Sequence, residues 1–382
     1  MESIKKLFSQ FIFPTSLLAG TIIGAGMFAL PYLFEKSGII LGLLYLIFFS
    51  LVFALMHLMY ADIIIRTPEN HRFPGYAGVY LGKFGFWSSI FMAVIGAIFV
   101  LTVYLILSAS FINLIFPNLI IDNIYKILFF WLISSAALFF NVNKLTFLEF
   151  LVFGGMVVII FIIFISGILT IDKIKSYSLI DLKYAFLPYG AILFSMYGRS
   201  AIPTVLGYFR NNNQSPLLSK WPIILGSIIP SLIYIIFIFG IFGLSNKISE
   251  DAVSGLVGHL PFFVLIFLGV LGIISLWSTY IMIGRDIKKT LEHDFKLSQI
   301  LSGLIVVFIP IILYLLGFKN FLKLIEISGG IIIGLEGLFL ILMWLKASKI
   351  NAENKMINNL HPLIIYPLLI VFIGGIVYKL VY

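Results

Sequence analysis

The 382-residue chain contains no cysteine, which excludes disulfides, thiol catalysis and thiolate metal sites. Charge is also scarce. Asp, Glu, Lys and Arg make up 11% of the residues, against about 25% in soluble domains, and an ordinary soluble enzyme is thereby excluded. The five histidines, at 57, 71, 259, 293 and 361, show no metal-ligand spacing and read as scattered interfacial residues. Gly82-Lys83 lacks the upstream glycine of a phosphate-binding loop, so nothing suggests nucleotide drive. The longest polar stretches, 66–83 and 170–184, leave no room for a soluble domain. The formal net charge is +9, but the lysines and arginines form no basic stripe, and no nucleic-acid partner is expected.

What the chain has in abundance is apolar sequence: 61% of residues are hydrophobic and 16% aromatic. The apolar residues run continuously and do not alternate, which excludes a porin-type barrel. In lipid every backbone polar group needs an internal partner, so an all-α integral membrane protein remains, with the lipid bilayer as its surroundings. Runs near the roughly 20 residues needed to span a bilayer predict eleven transmembrane helices. They lie at about 11–34, 38–64, 86–116, 124–141, 146–169, 185–208, 221–245, 260–284, 297–317, 320–346 and 361–381. Asn141 to Asn143 mark the end of the fourth. Residues 1–382 form one transmembrane domain. With the amino terminus placed in the cytoplasm, the larger share of Lys and Arg falls in cytoplasmic loops, among them Arg66, Arg72, Arg210, Arg285, Lys288 and Lys289. That bias predicts a plasma-membrane protein with its carboxyl terminus outside.

Two of the runs are poor continuous helices. Gly20, Gly24, Gly26 and Pro31 fall within twelve residues of the first. Each glycine costs a helix about 1 kcal/mol and an interior proline about 3 kcal/mol. Gly20 and Gly24 suit tight helix packing, but Gly26 and Pro31 do not follow from packing; an interrupted helix accounts for all four. In the sixth run, Gly198 and Arg199 sit between Pro188 and Pro203, and a mid-run arginine is poorly suited to face lipid. Five spans begin with each interrupted helix. An odd number per unit makes the second enter from the opposite face, a 5+5 inverted repeat of about 11–169 and 185–346, with helix 361–381 outside it. Discontinuous helices 1 and 6 in corresponding positions point to a midplane transport site.

The first-helix segment Gly20-Thr-Ile-Ile-Gly-Ala-Gly-Met-Phe-Ala-Leu-Pro31 resembles the signature of the amino acid/auxin permeases and the bacterial aromatic amino acid permeases. Both belong to the amino acid–polyamine–organocation group with the LeuT-like fold. The segment 187–203, ending Ser-Met-Tyr-Gly-Arg-Ser-Ala-Ile-Pro, is similar to their sixth helix, although Arg199 stands where the bacterial permeases usually carry histidine. The resemblance implies an amino acid transporter whose substrate residues are Thr21, Gly24, Ala25 and Gly26 on the first break. On the second they are Phe194, Ser195, Tyr197, Gly198 and Arg199. The Ala25 and Gly26 amides, at a half-helix amino terminus, would hold a carboxylate. Carbonyls near Phe194, Ser195 and Tyr197 would accept the ammonium. Tyr104, midway along the third span, would cap the pocket; packing is its plainer reading.

No cofactor is expected beyond a coupling ion, sodium or a proton. Ser275, Ser278 and Thr279 share a face of the eighth span; packing between helices explains them equally. The resemblance implies a sodium site in which they join the carbonyls of Gly20 and Ile23, as hard cations prefer oxygen. A second such site is not expected, because Met27 replaces an asparagine ligand. For protons, His259, Glu149 and Glu326 are titratable candidates near span ends. Arg199 and Glu336 lie at matching depths in spans six and ten, since a helix rises roughly 1.5 Å per residue. Arg199 therefore either pairs with Glu336 or contacts an anionic substrate directly. Asp286 is expected in a local salt bridge with Arg285 or in a gate contact. A channel would show a repeated filter, and an enzyme would show clustered acids or histidines at mid-depth. A channel-like or nutrient-sensing protein of the same fold is the alternative reading.

Overall fold

The computed structural model describes residues 6–139, 145–169, 177–245, 247–350, 354–358 and 360–381, without the side chains of 145–149. Asn141 to Asn143, the 170–176 part of the second polar stretch and the Glu149 side chain lie outside the described residues. The described residues are helical, in the order α1 (Phe13–Ile22), α2 (Leu30–Ser37), α3 (Ile39–Arg66), α4 (Phe73–Ile115), α5 (Asn123–Ala137), α6 (Leu145–Ile168) and α7 (Pro188–Ser195). They continue with α8 (Ile202–Asn211), α9 (Lys220–Leu244), α10 (Phe262–His293), α11 (Gln299–Leu315), α12 (Phe321–Ile327), α13 (Gly334–Ala347) and α14 (Pro362–Val381).

Seven of the described helices are long and apolar enough to cross a membrane, and one bent pair, Phe8–Ile22 with Ala25–Ser37, makes an eighth. α5 and α11 are shorter apolar helices, while α7 and α8, at 8 and 10 residues, are too short to cross singly. Apolar runs form helices here because an uninterrupted helix satisfies its own backbone. Where a run breaks, proline starts the next segment. Pro31, Pro188 and Pro203 each lie in the first turn of a helix, where the missing N–H is no loss.

α9 packs on α1, α3 and α6; α10 packs on α4, α5 and α6. α13 lies against α3 and α4, and the π turn Ser328–Ile333 before it packs on α7. Glycines on both sides make this possible: a Cβ on Gly329 of the turn would run into the Gly190 carbonyl oxygen, and one on Gly190 of α7 would fall 2.7 Å from the Glu326 carbonyl oxygen.

Two features depart from the run-based reading. The stretch 66–83 is largely helical. α4 starts at Phe73 and kinks at Gly82, whose φ of 75° suits glycine. Its first turns bury Phe73, Tyr76, Ala77 and Tyr80, an amphipathic pattern too short to register as a span. The second feature is a buried acid. Asp62 of α3 is 0% exposed and accepts hydrogen bonds from Arg66 Nε (2.7 Å), Trp344 Nε1 (2.9 Å) and the Met356 amide (2.6 Å). Arg66 in turn donates to the Ile350 carbonyl at 2.9 Å. This cluster ties the end of α3 to α13 and to the segment that follows it.

Candidate functional site

α1 stops because the chain turns out of the helix at Ile23 (φ −75°, ψ 86°) and is extended at Gly24 (φ −133°, ψ −151°). A 3-10 turn, Ala25–Ala29, then leads into α2, and the two halves meet at 52°. The last bond of α1 runs from the Ile23 amide to the Ala19 carbonyl (2.9 Å). The carbonyls of Gly20, Thr21 and Ile22 therefore have no donor within the helix. The first internal donor of the 3-10 turn is Met27, to Gly24, so the amides of Ala25 and Gly26 lie in the first turn, where helix N–H groups lack internal acceptors.

The second break is similar. α7 ends at Ser195, Met196 to Gly198 leave the helix, and a 3-10 turn Arg199–Ala201 leads into α8. The two breaks touch. A Cβ on Gly26 would fall 2.6 Å from the Cα of Ser195 and 2.9 Å from Phe194 Cδ1. Only glycine permits that approach. Likewise a Cβ on Gly198 would lie 2.9 Å from Leu18 Cδ1 of α1.

Between the breaks lies a narrow cavity. Of the substrate residues expected from sequence, Thr21, Gly24, Ala25, Gly26, Tyr104, Phe194 and Tyr197 line it. The Tyr104 hydroxyl sits 3.4 Å from where a Gly24 Cβ would stand, so that tyrosine reaches the first break. Ser195 and Gly198 do not line the cavity. Ser195 is buried with its hydroxyl donating to the Ile192 carbonyl (3.0 Å), and Gly198 is spent on helix contact. Two of the three carbonyls expected to accept an ammonium already have donors: Phe194 accepts from the Tyr197 amide (3.4 Å) and Ser195 from the Tyr234 hydroxyl (2.8 Å). Each keeps a second lone pair.

Of the possible sodium ligands, only Thr279 lines this cavity; Gly20, Ile23, Ser275 and Ser278 do not. Ser278 and Thr279 both donate to the Ser275 carbonyl (3.0 Å each), which leaves their lone pairs available to a cation. Ile22, Val100, Ser200, Ile283 and Ile333 complete the lining and were not anticipated. Two of them were within reach of helical spacing: Val100 precedes Tyr104 by four residues, and Ile283 follows Thr279 by four. Away from the breaks, Phe28 of the 3-10 turn wedges between Phe111 of α4 (5.1 Å) and Phe237 of α9 (5.7 Å), edge to face.

Arg199 settles between its two readings. Its Nε lies 2.9 Å from Glu336 Oε2 and its Nη2 3.3 Å from Oε1, a two-pronged ion pair. The Tyr197 hydroxyl completes a triangle, 2.7 Å from Arg199 Nη2 and 3.1 Å from Glu336 Oε2. The guanidinium also lies over the Phe73 ring, 4.1 Å from its centre. Both charges are buried, so the pair supplies the hydrogen bonds a buried charge requires. It lines a second cavity that adjoins the first through Val100, Tyr197, Ser200, Ile283 and Ile333. Farther along that cavity stands Asp286, which pairs with Arg72 at the head of α4.

The remaining titratable candidates are elsewhere. Glu326 pairs with Lys379 of α14 (2.6 Å), and His259 is exposed in the loop before α10. His57 is no interfacial residue: it is buried in α3, its Nδ1 hydrogen-bonded with Ser227 Oγ of α9 (2.8 Å).

The geometry has counterparts among known proteins. Glutamine transporter 2 of Aliivibrio fischeri is 21% identical over 357 residues, covering 90% of this chain and 91% of the relative. MhsT, solved in complex with L-phenylalanine, matches with a TM-score of 0.69 at 12% identity over 97% of both chains. Mhp1, a nucleobase-cation-symport-1 family transporter solved in a closed conformation, matches with a TM-score of 0.62 at 12% identity. That match covers 96% of this chain and 90% of the other. These likenesses show the LeuT-like fold of an integral membrane protein, and the proteins concerned are transporters, not enzymes. The tryptophan/tyrosine permease family matches over residues 8–381, nearly the whole chain, and the chain belongs to it.

Proposed function

We propose that the chain is a secondary active transporter that carries a neutral or aromatic amino acid together with a cation by alternating access. One observation carries the reading: the half-helix amino terminus at Ala25 and Gly26 and the half-helix carboxyl terminus at Phe194 open into a single cavity. The first offers N–H donors and a positive dipole end to a carboxylate. The second offers carbonyl lone pairs to an ammonium. Val100, Ile283, Ile333 and Phe194 give the cavity apolar walls, which suit an uncharged side chain. Arg199 is already engaged by Glu336, which argues against an anionic one. A glutamine transporter among the relatives and L-phenylalanine bound to MhsT agree with a substrate of this class.

The coupling ion is sodium or a proton. The Thr279 hydroxyl in the cavity and the Gly20 and Thr21 carbonyls, which lie past the last internal bond of α1, support sodium. In this reading eleven spans cross the bilayer. α1 with α2 is the first and α7 with α8 the sixth. Each opens a set of five in an inverted repeat, and α14 stands outside it. Each set of five beginning with a broken helix is what supports the repeat. The Lys and Arg bias puts the amino terminus and the Arg72–Asp286 pair at the cytoplasmic face of the plasma membrane.

Proteoliposome uptake tests the reading. The expected result is saturable uptake of a neutral or aromatic amino acid, accelerated by unlabelled substrate on the opposite side. Competition with each proteinogenic amino acid names the substrate. Replacing sodium with choline is expected to cut uptake at least about tenfold if the Thr279 hydroxyl helps hold the ion, a loss of about 1.4 kcal/mol. Dependence on a pH gradient alone would assign the proton. Flux without saturation or exchange would mean a channel, and substrate binding without flux would mean a sensor.

A further inference from the structure

The phenol of Tyr234 joins the two breaks. Tyr234 lies within α9 and is wholly buried. Its hydroxyl is 2.8 Å from the Ile22 carbonyl oxygen and 2.8 Å from the Ser195 carbonyl oxygen. Ile22 closes α1 and Ser195 closes α7. Both carbonyls belong to the set that a helix end leaves without an internal donor, and in a water-free interior such an acceptor needs one. A phenol has a single proton. At any instant one carbonyl receives the hydrogen bond, and the other only touches the phenol oxygen. Two half-helices thus draw on one donor.

We propose that Tyr234 is a positioning residue, a shared donor that sets the gap between the breaks while both face the cavity. When one half-helix withdraws, the phenol stays bonded to the other. The inference rests on reading the breaks as the transport site. Its physical content is a count of bonds. If α1 tilts away, the phenol gives its proton wholly to Ser195; if α7 moves, it gives it wholly to Ile22. Either departure loses an oxygen–oxygen contact without reducing the number of hydrogen bonds that Tyr234 donates. The other links between α9 and α1 differ in kind. Gly226 packs so closely on α1 that a Cβ would come 2.9 Å from Leu18 Cβ, a contact of shape with no donor to redistribute. Tyr234 is therefore a directional tie from one side chain to both breaks.

The absence of native cysteine makes the test clean. Ser200 lines both cavities, so Ser200→Cys reports how readily they open. Its labelling by a membrane-impermeant maleimide is measured without substrate, with Tyr234 intact and with Tyr234→Phe. Phenylalanine keeps the ring and removes the donor. The labelling rate is expected to rise at least about fivefold, because without the phenol the Ile22 and Ser195 carbonyls are both buried with no side-chain donor while the breaks are closed, and separation lets them find other donors. An unchanged rate overturns the proposal, including when Tyr234→Phe merely lowers the thermal midpoint. If Tyr234→Phe does not reach the membrane, Tyr234→Met, which also carries no donor, takes its place; a raised rate supports the shared donor and an unchanged one overturns it. Uptake by the unmutated protein is assayed in parallel. No uptake of any amino acid together with a raised labelling rate would defeat the transport reading alone. Uptake with an unchanged rate would defeat the shared donor alone.

Discussion

Glu336→Gln is expected to reduce transport by about a hundredfold or more. Glu336 is 5% exposed and holds Arg199 through both carboxylate oxygens. Removing one partner of a buried ion pair leaves the other charge uncompensated, at about 3–5 kcal/mol, and about 1.4 kcal/mol is a factor of ten. Glutamine keeps one acceptor but not the charge, so the loss falls at the lower end of that range. Arg199→Ala is expected to be worse. It strands Glu336 and also empties the face of the Phe73 ring, where the guanidinium rests 4.1 Å from the centre. Tyr197 would also lose its Arg199 donor in that variant. Initial uptake rates at matched membrane expression measure the effect; wild-type uptake by Glu336→Gln would remove the pair from the transport cycle. Arg199→Met combined with Glu336→Leu separates folding from function. Apolar replacement of a whole buried pair is often neutral or stabilising, so the thermal midpoint should recover above either single variant, while transport should not.

Gly26→Ala is expected to abolish substrate binding. The added Cβ would stand 2.6 Å from the Cα of Ser195 and 2.9 Å from Phe194 Cδ1. The nearer obstacle is backbone of the opposite break, so no rotamer change relieves it; the two half-helices must separate. Overpacking of this kind costs about 1–3 kcal/mol, and the displacement falls on the amides meant to hold the carboxylate. Gly24→Ala is the contrast. Its Cβ would meet the Tyr104 hydroxyl at 3.4 Å, an ordinary contact, and the backbone there has negative φ, open to any residue. Binding weakened by less than about tenfold at Gly24 and lost at Gly26 would fit the geometry; equal losses at both would not. Equilibrium binding of the amino acid identified by uptake measures both.

The breaks were legible in the sequence because Gly24, Gly26 and Gly198 violate helix propensity inside apolar runs, and a bilayer gives such violations no other excuse. The Arg199–Glu336 pair was legible because a lone charge at mid-depth demands a partner and helical rise fixes where to look. The hidden parts are those whose meaning is made by folding. Tyr234 is one of 18 tyrosines, and its only distinction is that two helix ends from distant sequence converge on its hydroxyl. Asp62 and Arg66 look like an i,i+4 surface pair. Their burial comes with contacts from Ile350, Met356 and Ile357, far along the chain. The helix at the start of α4 stayed hidden because its apolar face, Phe73 to Tyr80, is too short for a span. Asp286 found Arg72, a residue 214 positions away, which local charge patterning does not reveal. His57 was misread for the same reason: its partner Ser227 is 170 positions distant.

An experimental structure with the transported amino acid bound tests the central claim most directly. The account predicts the substrate between the two interrupted helices, its carboxylate within hydrogen-bond distance of the Ala25 and Gly26 amides and its ammonium facing the carbonyl end of α7. A ligand seated elsewhere, with its carboxylate on Arg199 or with either helix continuous through residues 23–24 or 196–198, would contradict it.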